Sequence, residues 1–239
     1  MDISKLGEFA LIDRLTKDIP HYHTETCTGI GDDCAILHYD ATTDQLVTTD
    51  ILMEGVHFDL TYMPLKHLGY KAAQVNFSDI YAMGGIPSQI TVSLAISKRF
   101  SVEDIEELYS GIRLACEKHQ VDIVGGDTTS SMTGLAISIT AIGSVEKGKA
   151  IRRNGAKETD LICVTGDLGA AYMGLQLLER EKDVYYGQLA DAQQLEGKAR
   201  EDALHNLELV QPDFSGREYL LERQMRPEAR RDIIMRLQA

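Results

Sequence analysis

SQITVSLAISKRFSVEDIEELYSGIRLACEKHQVDIVGGDTT, residues 88–129, reads as strand, helix, strand. Ile90, Val92, Leu94 and Ile96 alternate with smaller or polar residues, the period of a strand with one buried face. Ser101 suits the N-cap of a helix whose first turn holds Glu103 and Asp104, and the pattern carries that helix to residue 119. VDIVGGDTT (121–129) is then a strand that breaks at Gly125 and Gly126.

The same alternation extends outward in both directions. QLVTTDILMEG (45–55) predicts a strand running into a loop, and GIGDDCAIL (29–37) a glycine turn entering a short strand. Pro64 is placed to open a helix that reaches about Met83, where GGIP (84–87) stops it. LAISITAIGSV (135–145) is a further strand. Leu6, Phe9, Ala10, Ile12 and Leu15 give residues 3–17 a helical stripe. The close strand pairs within this alternation predict an α/β (or α+β) fold with a mixed sheet, not a doubly wound parallel one. KGKAIRRNGAKETD (147–160) is a basic connector, which divides the chain into domains 1–147 and 148–239. DLICVTGDLGAAYMGLQLLER (160–180) then predicts a strand, a tight turn and a helix, followed by charged helical sequence interrupted at Pro212 and Pro227. About 90 residues with one strand make a small second domain, so an incomplete one is expected.

Composition limits the function classes. Of 239 residues, 44% are hydrophobic and 26% charged, which excludes a disordered or low-complexity chain. Lys and Arg number 24 against 37 Asp and Glu, a formal charge of −13, which disfavours nucleic acid and anionic lipid as partners. An anionic substrate would need bridging cations. The sequence has no apolar run near the ~20 residues that span a bilayer. Its beginning reads as an amphipathic helix, not a secretory signal. Cys27, Cys34, Cys116 and Cys163 form no CxxC or zinc spacing and read as reduced thiols of a cytoplasmic protein.

The usual nucleotide motifs are missing from the sequence. There is no GxxxxGK[ST], and Cys34 stands where GxGxxG needs its third glycine. Instead, acidic residues end the apolar strands: Asp32 and Asp33 after Gly29-Ile30-Gly31, Asp50 after Thr48-Thr49, and Asp127 after Gly125-Gly126. Asp79 interrupts an apolar helical stretch, a costly position unless the carboxylate is paired or ligates a cation. Carboxylates, Thr hydroxyls, water and phosphate oxygens are what Mg²⁺ takes, and adjacent glycines let phosphate approach the backbone. Singly these are ordinary turns and caps; jointly they indicate a multi-metal nucleotide site. His57, in EGVHF, is either a substrate contact or a surface histidine. Arg152-Arg153 is either a phosphate clamp or a solvated linker. His21 and His23 lack a third ligand in sequence and read as solvated.

GEFALIDRL, GIGDDCAIL, TTDILMEGVHF, HLGYKAAQVNFSDIYAMGGIP, VGGDTT and RRNGAKETDLICVTGDLGAAYMGL occur in this order between Gly7 and Leu178. Together they resemble the thiamine-monophosphate kinase family of the aminoimidazole-ribonucleotide-synthetase-like superfamily. The resemblance implies ATP-dependent phosphorylation of thiamine monophosphate to thiamine diphosphate by in-line transfer, with several Mg²⁺ ions. It implies that Asp33, Thr48, Thr49, Asp50, Asp79 and Asp127 form the metal shell and that His57 contacts the substrate phosphate. Gly126, Asp127, Arg153 and Tyr109 would contact ATP. No residue is assigned as a catalytic base, because the acceptor oxygen is already anionic. The family fold has two α/β domains, and its N-terminal sheet pairs with a second subunit in a homodimer. Family members continue into a D-x-S-D-G-type motif that these residues lack, so a truncated second domain is expected. A sister synthetase fits less well, since the reactive Cys/Lys segment of selenophosphate synthetase is missing and EGVHF suits the kinase. The remaining alternative is an inactive dimerisation and metal-binding module.

Overall fold

A computed structural model describes Ala10, Ile12, Thr16 and residues 22–30, 32–209 and 212–237. The helix expected at 3–17 therefore lies mostly outside the described residues; Ala10, Ile12 and Thr16 are helical. Six strands form one sheet: β1 (Thr26–Thr28), β2 (Ala35–Leu37), β3 (Thr43–Met53), β4 (Ile86–Ser97), β5 (Asp122–Ser131) and β6 (Ala136–Glu146). Their order is β1-β2-β3-β6-β4-β5. β5 runs parallel to β4, while the other neighbours pair antiparallel. The mixed sheet is thus the one expected, and the parallel pair is joined by the helical crossover that such a pair requires.

Two helices, α1 (Leu65–Ala82) and α2 (Val102–His119), cover one face of the sheet. Leu46, Ile90, Val92, Leu94, Ile137 and Ile139 meet Leu68, Phe77, Ile80, Leu108 and Ile112 in the core beneath them. α2 begins with the capping box that Ser101 and Asp104 complete between them. The two helices cross closely because each brings a glycine to the crossing. A Cβ on Gly69 would lie 2.0 Å from the Leu108 carbonyl oxygen, and one on Gly111 would lie 1.9 Å from that of Lys66. The opposite face of the sheet is open, with Thr49, Ile51, Met53 and Ser93 exposed on it.

Two expectations fail. β5 does not break at its glycines but runs through them to Ser131. A Cβ at Gly126 would stand 1.9 Å from the Val92 carbonyl oxygen, so glycine there allows β5 to close on β4. Residues 160–165 form no strand, and Leu161 and Ile162 are 90% and 97% exposed. Their short apolar run is that of a strand, but among the described residues no strand pairs with them to accept its hydrogen bonds. Beyond Gly169 the chain is helical: α3 (Ala170–Gln193), α4 (Gly197–Leu209), α5 (Glu218–Met225) and α6 (Arg231–Leu237).

The stretch between α5 and α6 is fastened to the backs of α1 and α2. Gln74 Oε1 accepts the Ala229 N–H at 2.8 Å, which turns the Gln74 amide NH2 toward His119 Nε2 at 3.0 Å. His119 must then accept at Nε2 and donate from Nδ1 to the Tyr81 hydroxyl, 2.8 Å away. Tyr70 donates to Glu228 at 2.7 Å, and Lys118 to the other oxygen of that carboxylate at 2.7 Å. Among the described residues, no helix is long and apolar enough to cross a membrane.

Candidate metal and nucleotide site

β3 directs Thr48 and Asp50 toward α1, because alternate residues of a strand share a face. Thr48 Oγ1 donates to Asp79 Oδ2 at 2.9 Å, and the Asp50 N–H donates to Asn76 Oδ1 at 3.1 Å. Asn76 is itself fixed by donating to the Ala72 carbonyl at 3.0 Å. Asn76 and Asp79, three residues apart, lie on the same side of α1, so both contacts form along one seam. Thr49 points the other way. Its hydroxyl donates to the Ile139 carbonyl and accepts from Thr140, each at 3.1 Å, so only its backbone remains available on the Asp79 side.

The turn before β2 brings a third carboxylate. Burial pushes Asp79 up to about 6, and the negative charges of Asp50 and Asp33 add to that push, against the Thr48 hydrogen bond and Arg153. Asp50 is raised by burial and lowered by the His57 imidazole. The Cys34 thiol is pushed up to about 12, first by burial and then by the nearby charges of Asp79, Asp33 and Asp32. Arg153 counters it: its Nε donates to Asp33 Oδ1 at 3.0 Å, its Nη2 donates to the same oxygen, and its backbone N–H reaches Asp32 Oδ2 at 3.4 Å.

Asp33, Thr48, Asp50, Asp79 and Arg153 therefore converge. His57 flanks them from the turn after β3; its Nδ1 accepts the Met53 N–H at 3.0 Å, which leaves a proton on Nε2 to donate to an anion. Asp127 does not join them. It lies on β5 opposite Ser93, which pairs with Ser138, which pairs with Ile51. Three strand spacings put it roughly 14 Å from β3. Its carboxylate accepts the neighbouring Thr128 N–H at 2.8 Å. Gly126 lies beside it on the same strand. Tyr109 lines a shallow cavity with Phe100, Ile105 and Arg113, away from the carboxylates.

One participant was missed in the sequence, Asn76, whose signal was its one-turn spacing from Asp79; Asp32, noted there among the acidic residues but given no ligand role, is the carboxylate that the Arg153 N–H reaches. A cavity of about 930 Å³ lies elsewhere, between Tyr62, Phe100, Lys182 and Phe214, with Glu54 and Asp59 on its lining toward the His57 turn.

Among the described residues, no three His, Cys, Asp or Glu side chains are gathered tightly enough to cage a metal unaided. The donor chemistry nevertheless suits Mg²⁺, which takes one or two carboxylates and completes its shell with water and phosphate. The oxygens present are hard donors in negative excess, and burial with the neighbouring Asp50 and Asp33 charges disfavours the ionised form of Asp79, which a bound cation would offset.

Residues 31–145 match the family described as AIR synthase related protein, N-terminal domain. The thiamine-monophosphate kinase of Bacillus subtilis (strain 168) is 40% identical over 176 residues, which are 74% of this chain and 54% of that protein. The thiamine-monophosphate kinase of Aquifex aeolicus (strain VF5) is 38% identical over 185 residues, 77% of this chain and 57% of that protein. The solved structure of AaThiL complexed with AMPPCP and TMP superposes with a TM-score of 0.77 at 32% identity, covering 100% of this chain and 64% of that one. The chain spans about half the length of the curated relatives it matches. Through its matched domain, its fold and these relatives, the chain belongs to the AIR-synthase-related family, and its relatives there are thiamine-monophosphate kinases.

Proposed function

We propose that this chain carries the phosphoryl-transfer half of a thiamine-monophosphate kinase, taking ATP and thiamine monophosphate and yielding thiamine diphosphate. The observation that carries the reading is the convergence of Asp33, Asp50 and Asp79 beneath a turn that offers His57. It is supported by the similarity to AaThiL, which is complexed with AMPPCP and TMP.

The acceptor is a phosphate monoester, already anionic, so the obstacle is repulsion between two polyanions and not the lack of a base. Bound Mg²⁺ would neutralise and align the phosphates. Asp33, Asp50 and Asp79 would hold it, with Thr48 fixing the orientation of Asp79 and Asn76 fixing the backbone at Asp50. His57 Nε2–H would orient the thiamine phosphate. Arg153, Gly126 and Tyr109 are the ATP contacts we assign.

Asp127 enters this site through a second subunit. β5 is an edge strand whose residues 122–130 are exposed, and the open sheet face shows Ile51 and Met53 at 53% and 44% exposure. An edge and an apolar face of this kind are what a homodimer covers. We place residues 1–147 as the dimerising metal domain and 148–239 as part of the second domain. The four cysteines are free, which accords with a reducing cytoplasm.

The test is incubation of the chain with ATP, Mg²⁺ and thiamine monophosphate, with thiamine diphosphate followed by chromatography. Product that vanishes in Asp50→Asn supports the reading. No product, together with no Mg²⁺-dependent binding of AMPPCP, overturns it.

A further inference from the structure

The guanidinium assigned to ATP is found on a carboxylate assigned to metal. Nε and Nη2 of Arg153 converge on one oxygen of Asp33, and its backbone N–H reaches Asp32. Four carboxylates share this neighbourhood, those of Asp32, Asp33, Asp50 and Asp79. Arg153 is the cation paired with two of them. Its side chain is 53% exposed, so it can rotate away without leaving a cavity. Two guanidinium N–H groups take up both lone pairs of that Asp33 oxygen, so a dication coordinates it only as the arginine withdraws.

We propose that Arg153 is an exchangeable counter-ion. It neutralises Asp33 in the unloaded chain, yields that oxygen to an arriving divalent cation, and is thereby released toward the nucleotide phosphates. The proposal rests on the metal reading above and adds an order to it. Metal must displace the arginine, so metal binding alone is weakened, while nucleotide binding that engages the freed guanidinium is strengthened. By linkage, each ligand favours the other beyond the bonds they share directly. Lysine at this position would keep the charge but not the two-donor grip on one oxygen.

The test is titration of Mn²⁺ into the chain without nucleotide, with free Mn²⁺ read by electron paramagnetic resonance, for wild type, Arg153→Ala and Arg153→Lys. The expected result is about two- to fivefold tighter Mn²⁺ binding in Arg153→Ala, the range that a half-exposed ion pair supplies, with Arg153→Lys between. With AMPPCP added, the order reverses, and Arg153→Ala binds the nucleotide more weakly than wild type. Equal Mn²⁺ affinity in all three chains overturns the exchange while leaving the metal site standing. Weaker Mn²⁺ binding in Arg153→Ala also overturns it, because a purely structural arginine would give that result. Failure of all three chains to bind Mn²⁺ overturns the metal reading as well.

Discussion

Asp79 sits where ionisation costs the fold something. Its pKa is raised from 3.8 to about 6, first by burial and then by Asp50 and Asp33. Between those values the folded chain binds more protons than the unfolded one, so stability falls as pH rises from about 4 to about 6 and stays reduced above. Asparagine can still accept from Thr48 and carries no charge. Asp79→Asn should therefore raise the stability of the metal-free protein at pH 7 by on the order of 1 kcal/mol, after discounting for partial exposure. Urea titrations of both chains at pH 4.5 and 7 check this, the gap between them closing at the lower pH. His119 acts oppositely. Burial lowers its pKa, as do Lys118 and Arg231 against Glu228, so its contribution is lost as pH falls below about 6.5. Because both chains retain His119, the difference between them isolates Asp79. Asp50→Asn, inside β3 with its backbone held by Asn76, should abolish phosphoryl transfer with a melting midpoint near that of wild type. An unchanged turnover number would remove Asp50 from the site.

At the scale of elements, α1 and α2 are joined by two glycines in reciprocal contact with backbone carbonyls. Gly111→Ala sets a methyl 1.9 Å from the Lys66 carbonyl oxygen, which neither backbone can yield without separating the helices. A loss of about 1–3 kcal/mol is expected by denaturant unfolding. It should be accompanied by weaker metal binding, because α1 carries Asp79. Ser101→Ala removes one half of the capping box of α2 and should cost about 1 kcal/mol without affecting the site. The two substitutions lie on the same helix, so metal affinity separates a moved helix from a frayed one.

For the whole molecule, the open sheet face and the β5 edge make the assembly testable. Sedimentation at micromolar concentration should give a dimer, and Ile51→Glu should give a folded monomer, since Ile51 is exposed on the open face in the single chain. A wild-type monomer would leave Asp127 roughly 14 Å from β3 without a route into the site.

Local patterning already determined much of this protein. The alternation at 88–96 and 135–145 gave β4 and β6, and Ser101 marked the start of α2. The acidic residues set in apolar sequence marked the chemistry, because charge placed among apolar residues has few physical uses; Asp50 and Asp127 lie inside β3 and β5, not at the strand ends expected of them. Three things depended on the tertiary structure. The glycines of β5 break nothing, because Val92 lies against Gly126 and no sequence window contains both. Residues 160–165 have the pattern of a strand but remain unpaired, because backbone hydrogen bonds need a neighbour that periodicity cannot supply. Asp33, Asp50 and Asp79 converge while Asp127 stands apart, because strand order β3-β6-β4-β5 is set by long-range pairing and not by position along the chain.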